Sequence, residues 1–235
     1  MEKVILIAVA MKNELNTFLE KVENFEKREI DGIDFYEGQL LDKKIVCMLT
    51  GIGTINTSYA FGIAISNFNI DFVINYGIAG GIGENVHKNT IVAVEDCFNV
   101  SSYRTSELNH GTDNFKWEYL TFVDDGADNL TIYNSDEKLL NKLKECDPIM
   151  PIVRCGSGDI WNREKDVILN LKNNYSVDVA DMECVSLYRL CNKLNIPVIS
   201  FKAISDNVIL SEDYDRNILD NTNSRIIEFI YALIK

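Results

Sequence analysis

Six apolar runs rich in β-branched residues, at 4–10, 44–49, 72–76, 90–94, 152–155 and 197–203, alternate with segments of helical spacing. Continuous runs of this kind read as strands buried on both faces. Among the intervening segments, 12–25 carries Leu15, Phe18, Leu19 and Val22 at helical intervals, and 53–67 is rich in small residues that permit close packing. Residues 182–194 present Val185, Tyr188, Leu190, Cys191 and Leu194, and 214–234 ends in Ile226, Ile227, Phe229, Ile230 and Leu233. Strands alternating with helices predict an α/β chain whose largely parallel or mixed sheet is covered on both faces. The 235 residues, with 3 prolines and no linker-like or low-complexity tract, predict a single domain over 1–235.

Composition narrows the partners. The net charge of −13 argues against a nucleic-acid backbone, whose binders show basic patches, but leaves an uncharged nucleoside open. The opening MEKVILIAVAMKNEL meets charge too soon for a signal peptide and reads as a first strand. No apolar run approaches the ~18 residues of a membrane span, so the expected location is the cytoplasm, with no membrane partner. Cys47, Cys97, Cys146, Cys155, Cys184 and Cys191 form no CxxC pair, and several lie in apolar runs. They read as reduced, mostly buried thiols. His87 and His110 stand far from them in sequence, which argues against a zinc site.

In sheets of this class ligands gather beyond the carboxyl ends of strands. Polar or glycine-rich segments follow predicted strands at 11–14, 51–53, 77–81, 157–159 and 205–206, and one sheet edge would collect them. INYGIAGGIG (74–83) lets backbone approach a ligand, but has neither the dinucleotide nor the P-loop spacing. TGIGTIN (50–56) is a similar junction. VADMEC (179–184) has two readings: Asp181 and Glu183 as helix-start residues, or one carboxylate accepting from two vicinal hydroxyls. Asp206 in KAISDN (202–207) is likewise a cap or an acid. The polar, aromatic stretch 101–130, with Tyr103, Asn109, His110, Trp117 and Tyr119, is either a surface excursion or a lid.

AMKNEL, TGIGTIN, NYGIAGG, SGDIW, DMEC and KAISDN together, in this order and spacing, resemble the nucleoside phosphorylase/nucleosidase superfamily. Within it the closest resemblance is to the 5′-methylthioadenosine/S-adenosylhomocysteine nucleosidases. It runs from about residue 4 to the C-terminal helix, and 101–150 contributes little. It implies a single α/β/α domain with a central mixed sheet, a homodimer, no cofactor or metal, and hydrolysis of a purine N-glycosidic bond. Residue by residue, it implies that Asp206 protonates the base at N7 and Glu14 activates water. Glu183 would hold the ribose 2′- and 3′-hydroxyls while Met182 packs on the sugar. Trp161 would stack on the base and the backbone of Asn162 would meet its edge. Ile78, Ala79, Lys202 and Ser205 would complete the substrate contacts.

The chemistry fits these residue types. A purine anion leaves poorly, so a proton delivered during cleavage helps. Carboxylates stabilise the oxocarbenium character that develops on the ribose. An aromatic face grips a purine without polar specificity. The sequence departs from the family at Tyr76 and Ile78, where the nucleosidases commonly carry Thr and Ser, and at Lys202, where they carry Arg. Two other readings stand beside hydrolysis. A phosphorylase would need a cationic phosphate clamp, and MKNELNT and NYGIAGG contain no Arg. An inactive nucleoside-binding relative would have no need to keep Glu14, Glu183 and Asp206.

Overall fold

The computed structural model describes residues 2–105, 117–121, 129–215 and 217–235. In chain order its elements are β1 (Lys3–Val9), α1 (Lys12–Leu19), β2 (Glu23–Ile30), β3 (Ile33–Leu40), β4 (Lys43–Leu49), α2 (Thr54–Asn67), β5 (Asn69–Gly81) and β6 (Ile91–Asn99). There follow β7 (Tyr103–Thr105), β8 (Trp117–Tyr119), β9 (Tyr133–Asn134), α3 (Glu137–Cys146), β10 (Ile152–Ser157), α4 (Lys165–Tyr175), β11 (Val179–Asp181), α5 (Cys184–Leu194), β12 (Val198–Asn207) and α6 (Ile218–Ile234).

The expected mixed sheet is present, ordered β11-β10-β6-β12-β5-β1-β4-β3-β2. β4, β1, β5 and β12 run parallel, while β6 lies antiparallel to β12 and parallel to β10. β11 bonds in parallel to β10 and also antiparallel to β5, closing five strands into a ring. That closure brings the ends of β10 and β11 to the glycine-rich end of β5, although they run the opposite way.

Buried strands alternate their side chains between two cores. Leu6 and Ala8 of β1 pack with Phe61, Ala64, Leu187 and Tyr188 of α2 and α5. Ile5, Ile7 and Val9 pack with Phe18, Leu143, Phe229 and Ile230 of α1, α3 and α6. The arrangement is a sheet with helices on both faces, as the alternation of patterns predicts. Among the described residues no helix is long and apolar enough to cross a membrane. The six cysteines are free thiols, five of them buried.

Some expectations need correction. The helix expected over 12–25 ends at Leu19, and Val22 lies outside it. The chain turns instead into a hairpin closed at Asp31-Gly32, both at positive φ (49° and 78°), the turn whose twist suits antiparallel strands. β12 continues four residues beyond the predicted 197–203, so Ser205 and Asp206 lie inside the strand. Gly77–81 likewise belongs to β5 rather than following it. Of the 101–130 excursion, 106–116 and 122–128, with Asn109 and His110, fall outside the described residues. β7 and β8 pair as the arms of a small two-stranded sheet.

Candidate active site

A cavity of about 770 Å³ opens where β1, β5 and β12 end. Its lining includes Glu14, Ile78, Ala79, Trp161, Asn162, Met182, Glu183, Ser205 and Asp206, so nine of the ten residues singled out from sequence meet there. Lys202 does not line it.

Glu14 sits in the first turn of α1 and is 5% exposed. Its Oε2 accepts the N–H groups of Ala10 (3.0 Å) and Met11 (2.8 Å), and Oε1 accepts that of Ile78 at 3.3 Å. A carboxylate offers about four acceptor positions, so one remains for a further donor. Burial pushes the Glu14 carboxyl above its usual range, against the Met11 N–H and the Lys202 charge, which lower it. Gly77 makes this approach possible, since a Cβ there would stand 2.8 Å from Glu14 Oε1. Tyr76, one of the departures from the family, donates its hydroxyl to the Glu14 carbonyl at 2.8 Å and stacks on Phe201. Ile78 contributes its backbone N–H in place of a hydroxyl.

Asp206 reaches the cavity because β12 is bulged. Ile204 pairs with Ala79 and Asp206 with Gly80, so Ser205 is an inserted residue. Strand side chains alternate with period two, and the insertion reverses the face on which Asp206 emerges. Asp206 is 4% exposed. The Ser205 hydroxyl lies 2.7 Å from Asp206 Oδ1 and 3.2 Å from the Ala79 carbonyl. Its single proton can go to either acceptor. Asn207 is fully engaged in structure, bonding Gly83, Val86, Ile209 and Leu210.

VADMEC answers its two readings with a division of labour. Both Asp181 oxygens accept the Cys184 N–H at the start of α5, and Oδ2 pairs with Lys202 Nζ at 2.8 Å. Burial raises the Asp181 carboxyl, but the Lys202 charge together with hydrogen bonds from Cys184, Lys202 and Ser157 holds it below its usual range. Burial also disfavours the Lys202 charge, yet Asp181, with Cys184 and Glu183 beside it, holds the ammonium well above its usual range. The assignment of Lys202 to substrate contact is therefore corrected: its charge is spent on Asp181 beneath the cavity. Cys155, Asp181 and Cys184 lie close enough to hold a cation, and the Lys202 ammonium already supplies the positive charge there. Glu183 stands just before α5 rather than in its first turn. Its Oε1 accepts the Gly53 N–H at 3.0 Å. Burial, and next the Asp181 charge, push its carboxyl up to about 7.

The remaining wall is aromatic. Trp161 is 67% exposed and packs against Tyr214 with ring centroids 5.5 Å apart. Asn162 also lines the cavity, and its side-chain oxygen accepts the Glu164 N–H at 2.8 Å. Sequence reasoning missed Tyr214, Ile52 and Arg163 as lining residues. Arg163 is adjacent to the SGDIW motif and could have been found by extending it; Tyr214 lies in a segment read as helix. Arg163 is the one cation among the described lining residues, on the Trp161 loop rather than beside Glu14.

A family model described as the phosphorylase superfamily matches residues 4–235. A 5′-methylthioadenosine/S-adenosylhomocysteine nucleosidase of Oceanobacillus iheyensis is 27% identical over 202 residues, 84% of this chain and 83% of that protein. A Buchnera aphidicola protein of the same name is 25% identical, over 86% of this chain and 77% of its own length. Among solved structures, the native futalosine hydrolase of Helicobacter pylori superposes with a TM-score of 0.82 at 19% identity, covering 100% of this chain and 98% of that one. The Neisseria meningitidis 5′-methylthioadenosine/S-adenosylhomocysteine nucleosidase bound to methylthio-immucillin-A gives 0.78 at 22%, covering 100% and 99%. With a ring-closed mixed sheet, three buried carboxyls at its glycine-rich end and a family match over nearly the whole length, the chain belongs to the phosphorylase superfamily.

Proposed function

We propose that this protein hydrolyses the N-glycosidic bond of a purine nucleoside, with 5′-methylthioadenosine or S-adenosylhomocysteine as substrate and adenine as product. The observation that carries this is the convergence of Glu14, Glu183 and Asp206, from three separate elements, on one cavity. A binding scaffold has no use for three carboxyls withdrawn from water, each a cost to folding. Asp206 gives its proton to the base as the bond breaks, and the Ser205 hydroxyl turns to the carboxylate left behind. Glu183 accepts from the two ribose hydroxyls while Gly53 N–H steadies it. Glu14, held by three backbone N–H groups, orients the attacking water with its remaining acceptor position. Carboxylates on the sugar side also favour the positive charge that grows there.

Water rather than phosphate fits the charges beside Glu14. Lys202 is committed to Asp181, and Arg163 belongs to the base-side loop, so among the described residues no cationic clamp stands ready for a phosphate. The working form in this reading is a homodimer, supported by the exposed apolar group of Ile52, Ile55 and Tyr59 at the start of α2.

A panel of nucleosides, with and without phosphate, tests the proposal. It includes futalosine, because a structure named futalosine hydrolase shares the fold. Base release from 5′-methylthioadenosine in phosphate-free buffer is the expected result. Turnover only with phosphate would establish phosphorolysis, and binding without cleavage would make the protein a nucleoside receptor. Glu14→Gln should lower kcat roughly a hundredfold while KM changes little, since a positioned general base contributes mainly in the transition state. Steady-state kinetics showing the loss in KM instead would make Glu14 a binding residue.

A further inference from the structure

α2 starts without a cap of its own. Gly53, at its N-cap position with φ 97°, has no side chain to offer. The acceptor arrives from 105 residues further along the chain. Asp159, in the loop after β10, accepts the Thr54 N–H at 2.6 Å through Oδ1 and the Thr54 hydroxyl through Oδ2. A carboxylate is favoured there both as an acceptor for the free N–H and by the helix dipole. The Asp159 N–H donates in turn to Ser101 Oγ at 2.8 Å. On the other side, the Thr54 carbonyl accepts from Ser186 Oγ of α5 at 3.0 Å. Thr54 is thus held from two directions, and the residue just before it, Gly53, aims its own N–H at Glu183. The latch also explains the glycine: a Cβ at position 53 would lie 2.6 Å from Asp159 Oδ1. Ile160 and Trp161, which line the cavity, directly follow Asp159.

We propose that Asp159 is a positioning residue that ties the loop bearing Trp161 to the Gly53 donor of Glu183, so that the base wall and the sugar-holding carboxylate are set as one unit. This rests on the nucleoside reading above. Asp159 touches neither base nor sugar; it acts through the peptide that Glu183 accepts from. Four groups surround the Glu183 carboxyl: Asp181 of β11 and Glu14 of α1 raise it, while Lys202 of β12 and the Gly53 N–H lower it. Releasing the Gly53 N–H removes one of the two lowering contacts and moves the acid limb of activity to higher pH.

The test uses the full chain carrying Asp159→Ala, checked for folding by its melting curve. Kinetics with 5′-methylthioadenosine are taken from pH 5 to 9, alongside binding of free adenine. The expected result is a loss of kcat/KM of roughly tenfold or more, the scale of one hydrogen bond to a charged group. The acid limb should move upward, and adenine affinity should stay within about twofold of wild type, as no base contact is lost. Should Asp159→Ala fail to fold, Thr54→Val, which removes the hydroxyl donor alone, is expected to give the same pattern in smaller measure. An unmoved acid limb, or equal losses in adenine and nucleoside affinity, would overturn the proposal and leave Asp159 a shaper of the base loop only. If the wild-type protein cleaves no nucleoside, hydrolysis is the reading that fails. The latch is then judged by binding alone, where weaker 5′-methylthioadenosine binding with unchanged adenine binding still upholds it and parallel losses refute it.

Discussion

An Asp206→Asn protein is expected to fold, to bind nucleoside, and to lose turnover by roughly 10²–10⁴-fold, the range contributed by positioned proton transfer. The substitution changes little in shape. The side-chain oxygen of Asn still accepts from the Ser205 hydroxyl 2.7 Å away in the wild type, so the bulge that carries position 206 keeps its local bond. What disappears is a proton that can be given away. A riboside whose leaving group needs no protonation, such as 4-nitrophenolate, should therefore escape most of the loss. Near-normal hydrolysis of 5′-methylthioadenosine by a folded Asp206→Asn protein would remove the acid from the mechanism. Equal losses for both substrates would make Asp206 a residue of the binding surface.

Glu183→Gln should move activity and stability in opposite directions. Glu183 is 8% exposed, and its carboxyl is raised from 4.5 to about 7, first by burial and then by Asp181. Between those two values the folded protein binds more proton than the unfolded chain, so stability falls as pH rises through this window. Above pH 7 the full cost is in place, about 3 kcal/mol for a shift of this size. Gln carries no charge to bury and keeps an oxygen for the Gly53 N–H. The variant should melt several degrees higher than wild type at pH 8 and near wild type at pH 5. Its kcat/KM should fall by about 10²-fold or more, because two hydroxyls lose a charged acceptor. Wild-type activity should decline as pH drops below about 7, where Glu183 gains a proton. Melting differences that ignore pH would show that the charge is not costly, and a flat rate from pH 5 to 8 would show that it is not needed.

The layered architecture was legible because its strands are continuous apolar runs and its helices carry their spacing openly. The candidate site was legible as a set of motifs, since each follows or ends a strand. What escaped was long-range or local in unhelpful ways. β2 reads as a charged segment, and only the Asp31-Gly32 turn betrays it. The bulge at Ser205 leaves no mark in the composition of VISFKAISDN. Lys202 came to the substrate contacts through the family resemblance, at the position of the family's Arg, and its partner Asp181 read as a helix-start residue or a hydroxyl acceptor. The two are neighbours across strands, which spacing along the chain does not encode. Asp159 looked like one letter of SGDIW, and its partner Thr54 lies 105 residues earlier.

The sheet's unequal ends have a further consequence. One end is sealed, since β11 bonds back onto β5, but the other terminates at β2. A terminal strand invites a second chain to add itself, the first step toward aggregates. In β2, seven of eight residues are exposed, and Glu23, Glu26, Lys27, Arg28 and Glu29 crowd it with charge. Another copy docking edge to edge would have to strip water from these charged side chains, with few apolar ones to offset the cost. A strand that carries none of the site residues thus keeps this unsealed border of the sheet from becoming a template.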